Sequence, residues 1–427
     1  MKSIEQTYSE RARSEDNKDS LKDFRSRFKT DEKLIYLDGN SLGMMPLESE
    51  RLARDLISNE WGERLIRGWN ENWWHMPGRV SEKMSVITGC SSDEMVVCDS
   101  TSVNLYKLVS ASLRFNKGRK KILSDNLNFP SDLYVIQGVI DNLDDGHYLE
   151  MAESRNDIDI EIDDLFRLID KNTAVVVLSY VSFRSAYMYD MKRVTDYAHK
   201  HGALIIWDLS HATGAVEINL RDAGADMAVG CTYKYLNGGP GSPAFMYVKR
   251  ELHDDIISPI WAWLGEKNPF EFSLDYRSSA GAHRYMTGSP NILSMCTLEP
   301  SLDIIMEAGM EGIREKSIKL TGFLTELFYE FLEPLGFRFG SPSDPQRRGS
   351  HISLKHAEAY RICKALIDEG TGEHVVIPDF RPPDNIRLGL APLYNGFEEV
   401  LKVVLEIHRI VEKNIYEKFN KDSESVT

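Results

Sequence analysis

No run of apolar residues in this sequence is long enough to cross a bilayer: stretches such as Thr173 to Val181 fall well short of the roughly 20 residues a spanning helix needs. An excess of positive charge is also missing. The formal net charge is -15, so the basic face that a nucleic acid or an anionic membrane would require is not expected. Cysteine is sparse and unpatterned. Cys90, Cys98, Cys231, Cys296 and Cys363 are odd in number, form no CxxC pair and have no histidine at zinc-site spacing, which disfavours a disulfide scaffold and a structural metal. His75, His147 and His201 stand isolated, so metal catalysis lacks a ligand set. The first residues, MKSIEQTYSERARSEDNKDS, mix both charge signs and lack the apolar core of a secretory leader. A cytoplasmic protein in a reducing compartment is expected. No GxGxxG opens a helix after a strand, which argues against a nicotinamide dehydrogenase. There is no internal repeat and no low-complexity linker.

The chain has 427 residues with 42% hydrophobic content, enough for two domains and a sizeable core. Between about residues 90 and 250, short β-branched runs alternate with stretches of helical period, the pattern of a parallel sheet covered by helices. EMVVCD, RKKILSD, TAVVVLSYV, ALIIWD, MAVGCTY and PAFMYV read as strands. DMKRVTDYAHKHG reads as a helix stopped by Gly202. Beyond residue 293 the pattern changes to long amphipathic helices, exemplified by the stretch from Leu298 to Gly336, followed by strand-like GSHISL and NIRLGL. The expected fold class is α/β: a mostly parallel central sheet covered by helices, plus a smaller α+β C-terminal domain. The expected division is an N-terminal segment, 1–48, packing on the small domain, a large domain over 49–292 and a small domain over 293–427. The final KFNKDSESVT reads as a frayed tail.

The chemistry concentrates between Ala203 and Gly241. One strand stays apolar until Asp208, placing a carboxylate at its carboxyl end, where open α/β sheets gather ligand-binding residues. His211 follows three residues later. A second strand-like run ends at Tyr233 and Lys234, before a Gly/Pro-rich loop. A lysine amine and a carboxylate facing one crevice meet the needs of pyridoxal 5'-phosphate: the amine holds the cofactor as a Schiff base, and the carboxylate keeps the pyridine nitrogen protonated. The hydroxyl-rich turn at Thr101 and Ser102 opens a helical stretch whose N-terminus suits a phosphate, although such residues more often serve as plain N-caps. Phe129, held extended before Pro130, reads either as a ring that stacks on the pyridine or as a core residue.

LDGNSLG at Leu37–Gly43, STSVNL at Ser100–Leu105, FPSD at Phe129–Asp132, DLSHATG at Asp208–Gly214, YKYLN at Tyr233–Asn237 and APLYN at Ala391–Asn395 together resemble the kynureninases, enzymes of the aspartate-aminotransferase fold. The resemblance spans nearly the whole chain, and YKYLNGGPG with FPSD is its most specific part. It implies hydrolysis of L-kynurenine to anthranilate and L-alanine by Cβ–Cγ cleavage, in tryptophan degradation and NAD biosynthesis. It implies that Lys234 is the Schiff-base lysine and the base for the α-proton. Asp208 would pair with the pyridinium nitrogen, His211 would lie near the phenolic oxygen and Phe129 would stack on the ring. Thr101, Ser102 and Tyr233 would hold the phosphate, joined by Trp263 and Ser289 of a second subunit of a homodimer whose active site lies at the interface. Asp132 and Ser179 complete the cofactor set, and Tyr233 is the candidate proton relay. Arg387, with Asn40, Ser41 and Trp69, would bind the substrate, the arginine by a two-pronged grip on the α-carboxylate.

Two departures from the family pattern stand out. Thr101-Ser102 replaces the Leu-Thr of some members and keeps a hydroxyl. Ser289 stands where animal enzymes that favour 3-hydroxykynurenine carry asparagine, and the Trp69 region looks bacterial in type, which together imply a preference for unsubstituted kynurenine. The competing readings are another enzyme of the same fold, such as a cysteine desulfurase or an aminotransferase, and a catalytically silent protein that has kept the fold. A desulfurase would need a loop cysteine, whereas Cys363 lies on an amphipathic stretch.

Overall fold

Seven strands form the central sheet of the computed structural model, which describes residues 2–421. They are β1 (Met95–Val97), β2 (Lys121–Asp125), β3 (Tyr148–Ala152), β4 (Thr173–Ser179), β5 (Leu204–Asp208), β6 (Met227–Gly230) and β7 (Phe245–Val248). Their order across the sheet is β1-β7-β6-β5-β4-β2-β3, and every pairing is parallel except the two made by β7. The parallel strands β4, β5 and β6 are buried along their whole length, which is why they read as continuous apolar runs rather than alternating ones. Helices cover both faces. Met191–Lys200 buries Met191, Val194, Thr195 and Ala198, is capped by the Asp190 carboxylate accepting from the Arg193 N–H at 3.0 Å, and is followed by Gly202 at φ 73°. The six strands expected in this region are all present. The edge strand β3 was not expected, because its sequence YLEMA is partly exposed and carries no apolar run.

The long amphipathic stretch is two helices, Ile292–Ala308 and Met310–Leu327, separated by Gly309 at φ 74°. The first packs Met295, Leu298, Leu302 and Ile305 into the core of the main sheet. The second belongs to another core, built on a four-stranded antiparallel sheet ordered Asp379–Arg381, Asn385–Gly389, His351–Lys355, Arg338–Phe339. The period of two divides this small sheet cleanly. Ile352, Leu354, Ile386 and Leu388 enter the apolar core, so His351, Ser353, Arg387 and Gly389 occupy the opposite face.

The N-terminal segment is tied to this second unit. Leu34–Tyr36 pairs in parallel with Val375–Ile377, and Asp38 bridges to Gly389. Buried Lys316 pairs with Asp19 at 2.6 Å. The Asp16 carboxylate accepts the N–H groups of Phe397 and Glu398, at 2.7 and 2.9 Å, at the start of the helix Phe397–Glu412. At the other end, Arg361 Nε donates to the Phe419 carbonyl at 2.8 Å and Lys421 reaches Glu358 at 3.2 Å, so the expected frayed tail is tied down as far as Lys421. The rest of it lies outside the described residues. Among those residues, no helix is long and apolar enough to cross a membrane.

Helix Phe397–Glu412 begins after Gly396, which has no side chain to cap it, so Asp16 caps it from nearly 400 residues away in sequence. Asp16→Ala is expected to cost about 1–2 kcal/mol, read as a lower urea midpoint at unchanged m-value.

Candidate active site

Ser179 and Asp208 end two adjacent parallel strands and are partners in register, so both side chains arrive at the same edge of the sheet. Asp208 is buried and its carboxylate is held in place: Oδ1 accepts the Ser210 N–H at 2.9 Å and the Ser210 hydroxyl at 2.6 Å, while the Ser179 hydroxyl lies 3.4 Å from Oδ2. Ser179 donates to Asn128 Oδ1 at 2.7 Å, and the same oxygen accepts the Phe129 N–H at 2.8 Å. Asn128 therefore joins the end of β4, beside Asp208, to the turn carrying Phe129.

Lys234 is buried, with Nζ 3.3 Å from His211 Nδ1 and 5.7 Å from the centre of the Phe129 ring. Burial, then the Lys234 charge, drives the His211 pKa well below the usual imidazole value, so the ring is neutral. Phe129 is 38% exposed, which removes the core reading of this residue, and it meets Phe183 edge-on at 5.2 Å. Beside it, Asp132 is buried with Oδ2 unpartnered among the described residues. Burial and the Asp208 charge raise the Asp132 pKa, against the pull of Lys234. The Tyr233 phenol is pushed up by Cys231 first and by burial second.

The helices Thr101–Phe115 and Pro130–Leu143 start next to each other, with the Ser102 and Ser131 hydroxyls 3.2 Å apart. Two sets of N-terminal N–H groups, which have no partner within their own helices, thus converge with the Thr101 and Ser102 hydroxyls. Ser100 is the N-cap of the first helix, its hydroxyl accepting from the Val103 N–H at 3.4 Å, so the capping reading falls on Ser100 and leaves Thr101 and Ser102 in the first turn.

The LDGNSLG segment closes over this edge. The Gly43 N–H donates to the Tyr233 carbonyl at 2.8 Å, and a Cβ at Gly43 would collide with the Lys234 carbonyl and Asn237. Asn40, from the same segment, is fully buried with neither amide atom partnered among the described residues. Ser41 Oγ accepts from Arg387 Nη2 at 3.2 Å. Arg387 is buried on the small sheet and opposite Asp379 in register, to which both Nε and Nη2 are bonded, while Nη1 donates to the Phe183 carbonyl. Asp38 is nearby, its carboxyl pushed up to about 6 by burial and the Asp379 charge.

Lys234, Asp208, His211, Phe129, Asp132, Ser179 and Tyr233 thus surround one crevice, with Thr101 and Ser102 at one end and Arg387, Asn40 and Ser41 at the other. Three sequence candidates stand apart within the single chain. Trp69 packs edge-on against Trp73 at 5.6 Å and lines an apolar cavity of about 450 Å³ with Trp61 and Ile292. Trp263 contacts Trp74 and Phe270, and Ser289 is exposed. No hydrogen bond, ion pair or ring contact among the described residues joins these three to Lys234 or Arg387. The sequence reading missed Asn128, Ser210 and Asp379. The last was within reach: RPPDN between two short strands is a hairpin signal that sets Asp379 opposite Arg387.

The donor set suits pyridoxal phosphate. A buried amine and a buried carboxylate share one crevice, a neutral imidazole touches the amine, a part-exposed aromatic ring flanks it, and paired helix starts with hydroxyls offer an anion site. The unpartnered Asp132 oxygen also calls for a polar guest.

Known proteins give the same picture. The family described as Kynureninase C-terminal domain matches residues 313–407. The chain is 39% identical to the kynureninase of Pseudomonas fluorescens over 94% of its own length and 95% of that protein's. It is 38% identical to the kynureninase of Geobacillus thermodenitrificans over 97% of each. Among solved structures, the apo cysteine desulfurase of Thermococcus onnurineus NA1 superimposes with a TM-score of 0.79 at 19% identity, covering 92% of this chain and 98% of that one, a likeness of fold. Identity above one third along almost the entire length, with the lysine–aspartate crevice in place, means that the chain belongs to the kynureninase family.

Proposed function

We propose that this protein hydrolyses L-kynurenine to anthranilate and L-alanine with pyridoxal 5'-phosphate as cofactor, cleaving the bond between Cβ and the γ-carbonyl carbon in tryptophan degradation. The observation that carries the reading is the buried Lys234–Asp208 crevice, faced by Arg387 from the small sheet, in a chain of this family. When bound there, the cofactor supplies an electron sink that acidifies the substrate's Cα–H. Lys234 would hold it, and once freed by the substrate amine its Nζ would take the proton at Cα. Asp208, oriented by Ser210 and Ser179, would keep a proton on the ring nitrogen. Phe129 would stack on the cofactor, and neutral His211 would offer it a hydrogen bond. Thr101, Ser102 and Tyr233 hold the phosphate, while Asp132 lines the site. Tyr233, kept protonated by its raised pKa, relays protons at its hydroxyl.

At the other end of the crevice, Arg387 takes the α-carboxylate, with Asn40 and Ser41 beside it. Trp263 and Ser289 join the phosphate site from a second copy, and Trp69 belongs to the aryl end, with unsubstituted kynurenine preferred. The homodimer is supported by an exposed aromatic surface: Trp263 and Phe272 both meet Phe270, and Phe270 and Phe272 are 62% and 73% exposed. The free cysteines suit the reducing cytoplasm. They also count against desulfuration: Cys90 is half-buried, the other four are buried, and burial raises the Cys363 thiol far above its usual pKa.

Holoenzyme given L-kynurenine is expected to release fluorescent anthranilate, and Lys234→Ala to lower the rate by about a hundred- to ten-thousandfold, as loss of a positioned base does. Cofactor absorbance without anthranilate would overturn the substrate. Light scattering is expected to give twice the 48.7 kDa chain mass, and Phe272→Glu is expected to shift the protein toward monomer with a parallel fall in activity.

A further inference from the structure

Across the crevice from Lys234, one buried group is used by nothing described so far. His351 is fully buried on the small sheet, and neither ring nitrogen has a hydrogen-bond partner among the described residues. The Phe183 carbonyl, which accepts from Arg387 Nη1, lies near enough to favour a proton on the ring but makes no hydrogen bond of normal geometry with it, and the other ring nitrogen has no neighbour of that kind among the described residues. An unpaired imidazole in a packed interior costs free energy that an apolar side chain would not, so its retention calls for a partner absent from the free protein.

Register says where that partner would be. His351 lies directly opposite Gly389, and Ser353 opposite Arg387, so His351 and Arg387 share the face of the small sheet that looks onto the crevice. The ring is 5.8 Å from that of His211, which itself touches Lys234. His351 is therefore close enough to the guanidinium and the amine for both charges to act on its ring. Gly389, opposite His351, has no Cβ, and the amide of Asn40, also unpartnered, occupies the position a Cβ would take. Burial and the nearby Arg387 and Lys234 charges keep the imidazole neutral, with one N–H to donate.

We propose that His351 is a further substrate-binding residue, donating one hydrogen bond to the α-carboxylate that Arg387 grips. This rests on the placing of Arg387 at that carboxylate. An anion arriving between the two satisfies the imidazole and is held on a second side, which fixes the Cα–H toward Lys234 Nζ. The role is one of binding and positioning, so its loss falls on affinity before turnover.

Calorimetric titration of the holoenzyme with L-alanine, and with the amine obtained by decarboxylating kynurenine, tests this. His351→Ala is expected to weaken L-alanine binding and to raise the KM for L-kynurenine about tenfold, the worth of one hydrogen bond to a charged group. kcat should be little changed, and the carboxylate-free amine should bind as it does to the wild type. His351→Gln, which keeps an N–H donor, should recover most of the loss, and His351→Met should not; this pair carries the comparison if the alanine variant does not fold. Unchanged L-alanine affinity in His351→Ala alongside a large loss in Arg387→Ala would overturn the proposal and keep the carboxylate site. Unchanged affinity in Arg387→Ala would overturn the carboxylate site itself. Equal losses for L-alanine and the carboxylate-free amine would make His351 a structural residue and also overturn the proposal.

Discussion

Three separate stretches of chain meet at one buried guanidinium. Arg387 draws Asp379 from the neighbouring strand of the small sheet, the Phe183 carbonyl from the loop after β4 and the Ser41 hydroxyl from the N-terminal segment. A charge taken out of water must find partners or neutralise, and removing one partner of a buried pair commonly costs about 3–5 kcal/mol. The N-terminal segment, the main sheet and the small sheet are therefore held in mutual register by the residue assigned to the substrate. The residue proposed to bind substrate is thus also one that assembly depends on.

The crevice on the other side of this junction is arranged so that neighbouring ionisable groups take different protonation states. His211 and His351 are driven neutral by burial and by the cations around them, while burial and Asp208 favour a proton on Asp132. Environments that push adjacent groups apart in pKa are how one site provides donors, acceptors and a base at the same pH. The unpaired atoms of Asp132, Asn40 and His351 fit the same design, since a site ready for polar guests leaves their partners' places open.

The resemblance in fold to a desulfurase and the membership in the kynureninases also separate two levels of information. The fold is shared with a protein only 19% identical, and fold alone does not set reaction type. What distinguishes this chain is local: no cysteine is exposed at the crevice, and Phe129 occupies the flank of Lys234.

Much of this was legible from the residues in order. Buried parallel strands leave continuous β-branched runs, so β4, β5 and β6 announced themselves, and a carboxylate that interrupts such a run, as Asp208 does, marks the strand's ligand-facing end. The edge strand β3 was not legible, because an edge needs no apolar run. The stop at Gly309 was hidden inside a long helical period. Nor could order along the chain reveal that Asp16 caps a helix beginning at Phe397, that Gly43 is obligatory because the Lys234 carbonyl lies against it, or that His351 shares a face with Arg387. These are contacts between residues far apart in sequence. Local propensity and periodicity report on neighbours within a few positions, so the sequence determined the elements and their chemistry, and only tertiary packing decided which polar groups would be buried together.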